Sequence, residues 1–554
     1  MTRVQLPQSE AVVPAVVRQI LERRGIAPEA VGAFLYPNYD TQLHDPFLMT
    51  DMRPAVERLI VAAKRRERVV VYGDYDIDGI TASTVMIEGL AAIGIAARSY
   101  IPDRFEEGYG INAGALEQLK SQGVQLVVSV DCGITSVEEA AWAREHGLDL
   151  IITDHHTPPD VIPEAVAVVN PKRPGDTYPC KDLCGAGVAF KVIQALQQLT
   201  GQPAVGQEKW LLDLVALGTV CDIVELTDEN RVLASYGLRV MRQTRRPGLR
   251  ALAGVAGVGI DSIASQHLGF GLGPRLNAAG RLEHAARALE LVSTSDTVRA
   301  ADLAEELNTL NTQRRATQAT VVAAADQLAA QYAADPVLVL ADPNWSDGVG
   351  GIVACGRVEK WHRPVLVAQG VGEETKGSAR STGSFNMVAA LRAKPDLFSK
   401  YGGHFYAAGY TLPTARLHEL RQHLNAYFVA EQADTSPPAI VGDVALADLS
   451  EVTWTLYEAL ELMQPFGQAN PEPVLELSGL TARMVKPIGA DKTHLRLELS
   501  DRLGRRLAAI GFGMTAKHPD LKEGMAVTVL GTLNNNIYQG RSTLQLLVTD
   551  IRYE

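Results

Sequence analysis

The sequence predicts an α/β protein: a parallel sheet with covering helices, a long connecting helix, a second α/β unit, and a C-terminal β-barrel. Three observations predict this. Between residues 68 and about 225, short apolar runs such as RVVVYG (68–73), LVVSV (126–130) and LDLII (148–152) alternate with helical stretches such as 79–93 and 136–146. That rhythm belongs to parallel strands with crossover helices. Residues 281–335 contain neither Gly nor Pro, which is the composition of an uninterrupted helix. From about 440 the chain alternates apolar and polar residues, as in HLRLEL (494–499), the mark of half-buried strands.

In chain order, residues 1–60 read as an N-terminal segment of short helices around a Pro-containing connector. Residues 61–290 read as the main α/β domain and 291–335 as the connecting helix. The capping cluster STSDT (293–297) sets the start of that helix near 296, and a run to 333 would span roughly 55 Å. Its apolar residues are mostly alanine, which argues against a coiled coil. Residues 336–432 read as the second α/β domain, opening on the strand PVLVLAD, with EQADTSPP (431–438) as a linker. Residues 440–554 read as the barrel, with 525–551 folding as strands around a polar turn.

At 554 residues the chain is too long for one core. No apolar run is long enough to span a bilayer, and the start lacks a signal peptide's apolar block. The five cysteines are odd in number and scattered, which argues against a disulfide framework and for the cytoplasm. Cys180 and Cys184 form a lone C-x3-C with no second pair, so packing or a turn outweighs zinc. The net charge of −12 is unequally distributed. Residues 231–287 hold nine arginines (231, 239, 242, 245, 246, 250, 275, 281, 287), no lysine and two acids, Asp261 and Glu283. Forked guanidinium groups suit phosphates, and a solvated helical surface is the competing reading.

Four segments carry the chemistry. Asp74, Asp76 and Asp78 follow a strand in VVVYGDYDIDG, and Asp131 follows the next in VSVDCG. Asp154, His155 and His156 follow another in IITDHH, and Asp222 follows an apolar helix in LGTVCDIV. Carboxyl ends of parallel strands converge on one crevice. Two carboxylates about 4 Å apart repel by about 4 kcal/mol at an effective dielectric of 20, so such a cluster calls for cations. Oxygen ligands with an imidazole suit Mg²⁺ or Mn²⁺, and a shared carboxylate can bridge a pair of ions. A single Asp at a strand end has helix capping as its competing role, Asp78 and Asp131 among them. All four segments together do not.

The order GDYDIDG, VDCG, TDHH, GTVCDIV resembles the DHH phosphoesterase superfamily, and the whole chain resembles RecJ-type single-stranded-DNA-specific exonucleases. The likeness continues through DPFLMTDM (45–52), GPRLNAAGRL (273–282), DGVGGIVACGR (347–357), GSARSTGSFN (377–386), YGGHFYAAGYTL (401–412) and PFGQANPEP (465–473). It implies a DHH catalytic domain, a DHH-associated substrate domain and a nucleic-acid-binding OB-fold. It implies metal ligation by Asp76, Asp78, Asp131, His155 and Asp222, with Asp131 bridging and Asp74 as an extra ligand or supporting acid. Asp154 would orient a histidine. His156 would contact the scissile phosphate or protonate the leaving oxygen; a buried structural histidine is its alternative. Cys221 stands where a small residue such as alanine is expected.

For the substrate, Arg275, Asn277 and Arg281 read as phosphate binders, with capping and domain docking as the competing reading. Ser378, Arg380, Gly402, Gly403 and His404 sit in Gly-rich turns that let a backbone approach phosphate. The resemblance adds Arg104 for a 5′-phosphate and Tyr109 for stacking. In the barrel, Phe512 and Tyr538 are stacking candidates, though strand aromatics are more often core. The activity implied is 5′-to-3′ hydrolysis of single-stranded DNA to 5′-mononucleotides with two Mn²⁺ or Mg²⁺ ions. The expected partners are single-stranded DNA and the helicase and single-strand-binding protein of repair and recombination, with a monomeric chain and no membrane. The alternatives are a DHH phosphoesterase acting on oligoribonucleotides, cyclic dinucleotides or pyrophosphate, and a binding scaffold without metals. The barrel and total length weigh against the first, and the intact acid set against the second.

Overall fold

The computed structural model describes residues 13–104, 106–436 and 440–553. The first 12 residues of the expected N-terminal segment, and Pro437 and Pro438 of the expected linker, lie outside the described residues.

Strands β1 (Val69–Tyr72), β2 (Arg98–Tyr100), β3 (Leu126–Val130), β4 (Asp149–Thr153) and β5 (Ala167–Val169) form one sheet in the order β2-β1-β3-β4-β5. All its pairings are parallel. Helices cover both faces, so β1 and β3 are wholly buried, as expected for near-continuous apolar strands. The loops that carry the acids follow β1, β3 and β4, and the helix Leu212–Cys221 brings in a fourth segment. That helix is hydrophobic all round because other helices enclose it.

The described N-terminal residues divide between two cores. Val17, Ile20, Leu21, Val31 and Leu35 share a core with the C-terminal barrel. Tyr39, Met49, Met52, Val56 and Leu59 belong instead to the core of the parallel sheet. One helix, Thr297–Ala329, runs 33 residues, about 50 Å. Its first half, through Leu310, packs in the parallel-sheet core, and Val321, Ala325 and Ala329 pack in the second α/β unit. It is a strut whose two ends belong to different domains.

In the second unit, β6 (Leu338–Ala341), β7 (Val365–Val371), β8 (Glu374–Arg380), β9 (Lys400–Gly403) and β10 (Ala407–Pro413) form a mixed sheet in the order β6-β7-β8-β10-β9. Only β6 and β7 pair in parallel. The C-terminal unit comprises β11 (Val444–Leu446), β12 (Leu475–Ile488), β13 (His494–Ser500), β14 (Arg506–Gly511), β15 (Ala526–Tyr538) and β16 (Arg541–Tyr553). A β12–β15 pairing closes strands β12 to β16 into a barrel, with β11 added beside β12.

The arginine-rich stretch turns out to be mostly architectural. Arg231, 3% exposed, donates to the carbonyls of Phe34, Leu462, Met463 and Gln464. It thus ties the N-terminal helices and the barrel's approach segment to the parallel-sheet domain. Arg242 donates to Ile263 O, Arg250 to Thr244 O, and Arg246 to Glu88 and Asp213. Arg239 and Arg245 lie over the rings of Tyr236 and Trp210, and Arg287 pairs with Glu283 and Glu306. Buried carbonyls and carboxylates require these donors, so the proximity of nine arginines in sequence does not make a phosphate track.

Candidate metal centre and nucleic-acid interface

The loop after β1 enters the helix Ile77–Ala91, and its first-turn N–H groups need partners. Asp76 supplies them: one oxygen accepts from Asp78 N at 2.9 Å and Gly79 N at 3.1 Å. Capping and ligation are therefore compatible in one residue, since the other oxygen stays free of this duty. Asp78 accepts from Gly185 N (2.6 Å) and Ala186 N (2.9 Å) at the start of the helix Gly185–Thr200. Two helix N-termini thus face the acids, which favours negative charge there. Asp131 leaves β3 with φ of 61°, an uncommon backbone state for a non-glycine residue.

The four segments meet. His155 Nε2 lies 3.0 Å from Asp131 Oδ1, 3.6 Å from Asp222 Oδ2 and 3.7 Å from Asp78 Oδ2. Potential ligand atoms converge within 4.8 Å in three sets: Asp74, Asp76 and Asp131; Asp78, His155 and Asp222; Asp131, His155 and His156. Asp131 joins the first and third sets, and His155 joins the second and third. Among the described residues, Asp74 Oδ1, Asp131 Oδ1 and His155 Nε2 are buried without a hydrogen-bond partner. All three residues belong to the converging sets, and buried polar atoms without partners are costly unless a cation meets them. The donor set of carboxylates and one neutral imidazole fits hard divalent ions.

The electrostatics agree. Burial and the neighbouring aspartates push Asp74, Asp131 and Asp222 well above the usual carboxylate range, and burial with Asp76 lifts Asp78 to about 6. Burial and the adjacent His156 depress His155 to about 3, leaving its ring neutral. Asp154 is the counter-case. Burial alone would raise it, but His156 holds it at about 2 through a 2.8 Å hydrogen bond and its charge. Burial would lower His156, and Asp154 outweighs that, raising it to about 9. Asp154 also accepts from the backbone N–H groups of Ile134, His155 and His156. The carboxylate therefore orients the ring of His156, and fixes His155 only through its backbone.

Several substrate candidates gather at the same mouth. Arg281 is lowered to about 10 by burial and then by Arg104 and Arg314, with Arg380 contributing. Among the described residues, none of these four guanidinium groups has a carboxylate within ion-pair distance. Arg104 lies over the ring of Tyr75, 5.1 Å from its centroid. Gly351 leaves room for Arg380 and Ser378: a Cβ there would lie 3.1 Å from Arg380 Nη2 and 3.6 Å from Ser378 Oγ. His404 is lowered by burial and by the charges of His156 and Lys172, which puts it on the metal-centre side of the second domain. Gly402 and Gly403 lie in β9, and Gly403 has φ of 148° with no room for a side chain.

The remaining candidates make other contacts. The Tyr109 hydroxyl lies 3.1 Å from His156 Nδ1 and its ring packs edge-on against that imidazole, so Tyr109 supports His156. Arg275 donates to Asn308 Oδ1 and Gly271 O, a docking role. Asn277 Oδ1 accepts from Ile77 N inside the metal loop. Cys180 and Cys184 are free and buried, and Cys184 caps the helix Gly185–Thr200 through Gly187 N. The extra bulk of Cys221 faces Gly273, where a Cβ would lie 2.7 Å from the sulfur. Phe512 and Tyr538 are not core residues; they are 63% and 69% exposed. Sequence reasoning missed Gly185 and Gly218, where a Cβ would come within 2.5 Å of Asp131 and of Asp78. It also missed Arg314, whose signal is a charged pair in an alanine-rich helix, and Asn170, which holds the His156 carbonyl.

Comparison with known proteins accounts for this arrangement. Residues 68–219 match the DHH family, N-terminal domain; residues 334–430 match the DHHA1 domain; residues 443–550 match the RecJ OB domain. The single-stranded-DNA-specific exonuclease RecJ of Bacillus subtilis is 37% identical over 546 residues, 97% of this chain and 68% of that protein. The chain belongs to the RecJ family. The Escherichia coli RecJ exonuclease is 34% identical, covering 91% of this chain and 90% of its own length. The crystal structure of Thermus thermophilus RecJ with Mn²⁺ superposes with a TM-score of 0.80 at 30% identity, over 98% of this chain and 78% of that one. The same protein with Mg²⁺ gives 0.75 at 28% identity, over 98% and 77%. The RecJ fold, with its DHH domain, DHHA1 domain and OB barrel, is the fold of this chain.

Proposed function

We propose that this RecJ-family chain hydrolyses single-stranded DNA from the 5′ end to 5′-mononucleotides, using two Mn²⁺ or Mg²⁺ ions. The observation that carries the proposal is the convergence of two ligand sets, Asp74–Asp76–Asp131 and Asp78–His155–Asp222, on adjacent points. Bound there, a pair of divalent ions supplies a nucleophile at neutral pH and charge stabilisation for both oxygens of an in-line displacement. The side chains do the rest. Asp131, in the centre, is the candidate bridge. His156, kept protonated by Asp154, offers a proton to the departing 3′-oxygen or a hydrogen bond to the scissile phosphate. Arg104, Arg281, Arg314 and Arg380 hold the terminal 5′-phosphate by forked contacts. Ser378, Gly402, Gly403 and His404 line the next phosphates, and the barrel grips the strand beyond. Phe512 and Tyr538 serve there as exposed platforms for bases.

A cytoplasmic location, a monomeric state, and docking to a helicase and a single-strand-binding protein belong to the same proposal. Free cysteines support the first, and no described helix is long and apolar enough to cross a membrane. The test is digestion of 5′- and 3′-labelled oligonucleotides, single and double stranded, with and without Mn²⁺. Release of 5′-label first, from single strands alone and only with metal, supports the proposal. Release from duplex ends or from 3′ ends first refutes it.

A further inference from the structure

The first turn of the Ile77–Ala91 helix is capped from two directions. Asp76 takes the N–H groups of Asp78 and Gly79, and the remaining one, on Ile77, donates to Asn277 Oδ1 at 2.9 Å across 200 residues of sequence. Ile77 sits between Asp76 and Asp78, so this bond fixes the backbone that aims both carboxylates. The partner helix Gly273–Leu282 is pressed against the same loop: a Cβ at Gly280 would lie 2.6 Å from Tyr75 O. That helix is braced in turn by the second domain. Arg281 donates to Gly348 O at 3.2 Å, and a Cβ at Gly348 would lie 2.4 Å from Arg281 O. The bond engages Oδ1 and leaves the Nδ2 amide as the group of Asn277 that could donate to a phosphate, so substitution separates the two roles.

We propose that Asn277 is a positioning residue, which holds the metal-bearing loop through the Ile77 N–H and takes no part in phosphate binding. The inference rests on the divalent-metal reading of this centre. Removing a residue that orients a ligand typically weakens metal binding by about 10–100-fold. Aspartate distinguishes the two roles. Asn277→Asp keeps an oxygen to accept from Ile77 and suits a helix N-terminus, but it lacks the amide donor and repels phosphate.

The experiment uses the full chain and its Asn277→Ala and Asn277→Asp variants. Mn²⁺ binding without DNA is read from the electron paramagnetic resonance signal of free Mn²⁺. kcat and KM are measured on a 5′-phosphorylated oligothymidylate. The positioning role predicts Mn²⁺ binding weakened at least about tenfold in Asn277→Ala, with lower kcat and unchanged KM. It predicts Mn²⁺ binding and KM near the parent's in Asn277→Asp. Unchanged Mn²⁺ binding with a raised KM in Asn277→Ala overturns it, and so does a raised KM in Asn277→Asp. If the alanine variant does not fold, the aspartate variant decides alone. If the parent chain shows no nuclease activity, the proposed function fails, and the Mn²⁺ arm still judges Asn277.

Discussion

Chelating the divalent ions should make the protein less stable as pH rises from 6.5 to 9, and its own charges set the amount. His156 is raised from 6.5 to about 9. A base raised on folding contributes stability that is complete below 6.5 and is lost as pH climbs through about 9. The shift of about 2.5 pH units at about 1.4 kcal/mol each amounts to about 3.5 kcal/mol in full, of which about 3 kcal/mol is lost by pH 9, where the ring is still half protonated. Burial and neighbouring aspartates shift Asp74, Asp131 and Asp222 in the same upward direction. His155 works the opposite way, but only between about 3 and 6.5, below this window. Asp154, held at about 2, has contributed fully by then. Thermal unfolding in EDTA at both pH values reads the effect. About 3 kcal/mol corresponds to a fall of about 6–12 °C for a domain of this size. Saturating Mn²⁺ should stabilise the protein more at pH 9 than at 6.5. Equal or greater stability of the chelated protein at pH 9, or a smaller Mn²⁺ effect there, would refute the reasoning.

Gly185→Ala places a methyl group 2.5 Å from Asp131 Cβ. With a displacement near 1 Å costing about 100-fold, kcat should fall at least that far while circular dichroism stays unchanged. Arg231→Lys keeps the buried charge but cannot serve four carbonyls, so denaturant unfolding should show a loss of about 2–4 kcal/mol. Arg281→Gln removes one of the four clustered guanidinium groups. Cleavage of 5′-phosphorylated DNA should drop about tenfold or more while 5′-hydroxyl DNA changes little, which competition between the two substrates measures.

The parallel sheet and the long strut were legible because apolar periodicity is local: Val69–Tyr72 and Leu126–Val130 announce buried strands by themselves. The acids were legible because parallel topology obliges strand ends to converge. What sequence could not show was which partner each polar group would meet. Arg231 and Arg281 look alike in an arginine-rich stretch, yet one is spent on four backbone carbonyls while the other makes one such bond, to Gly348, and faces fellow cations. Asn277 and Arg275 sit in a Gly-rich motif that suggests phosphate, and their observed partners are Ile77 N and Asn308. The same holds for residues 15–35, whose apolar face matches the barrel rather than the neighbouring sheet. Nor does a glycine such as Gly185 advertise itself, because the side chain it makes room for comes from residue 131.

Holding a pair of cations is the task proposed for carboxylates and an imidazole that lie far apart in sequence. Equilibrium dialysis of the purified chain against Mn²⁺ counts them directly. The account predicts two tightly held ions per chain, and loss of both sites' affinity in Asp131→Asn. A stoichiometry of zero or one, or two ions indifferent to Asp131→Asn, would contradict it.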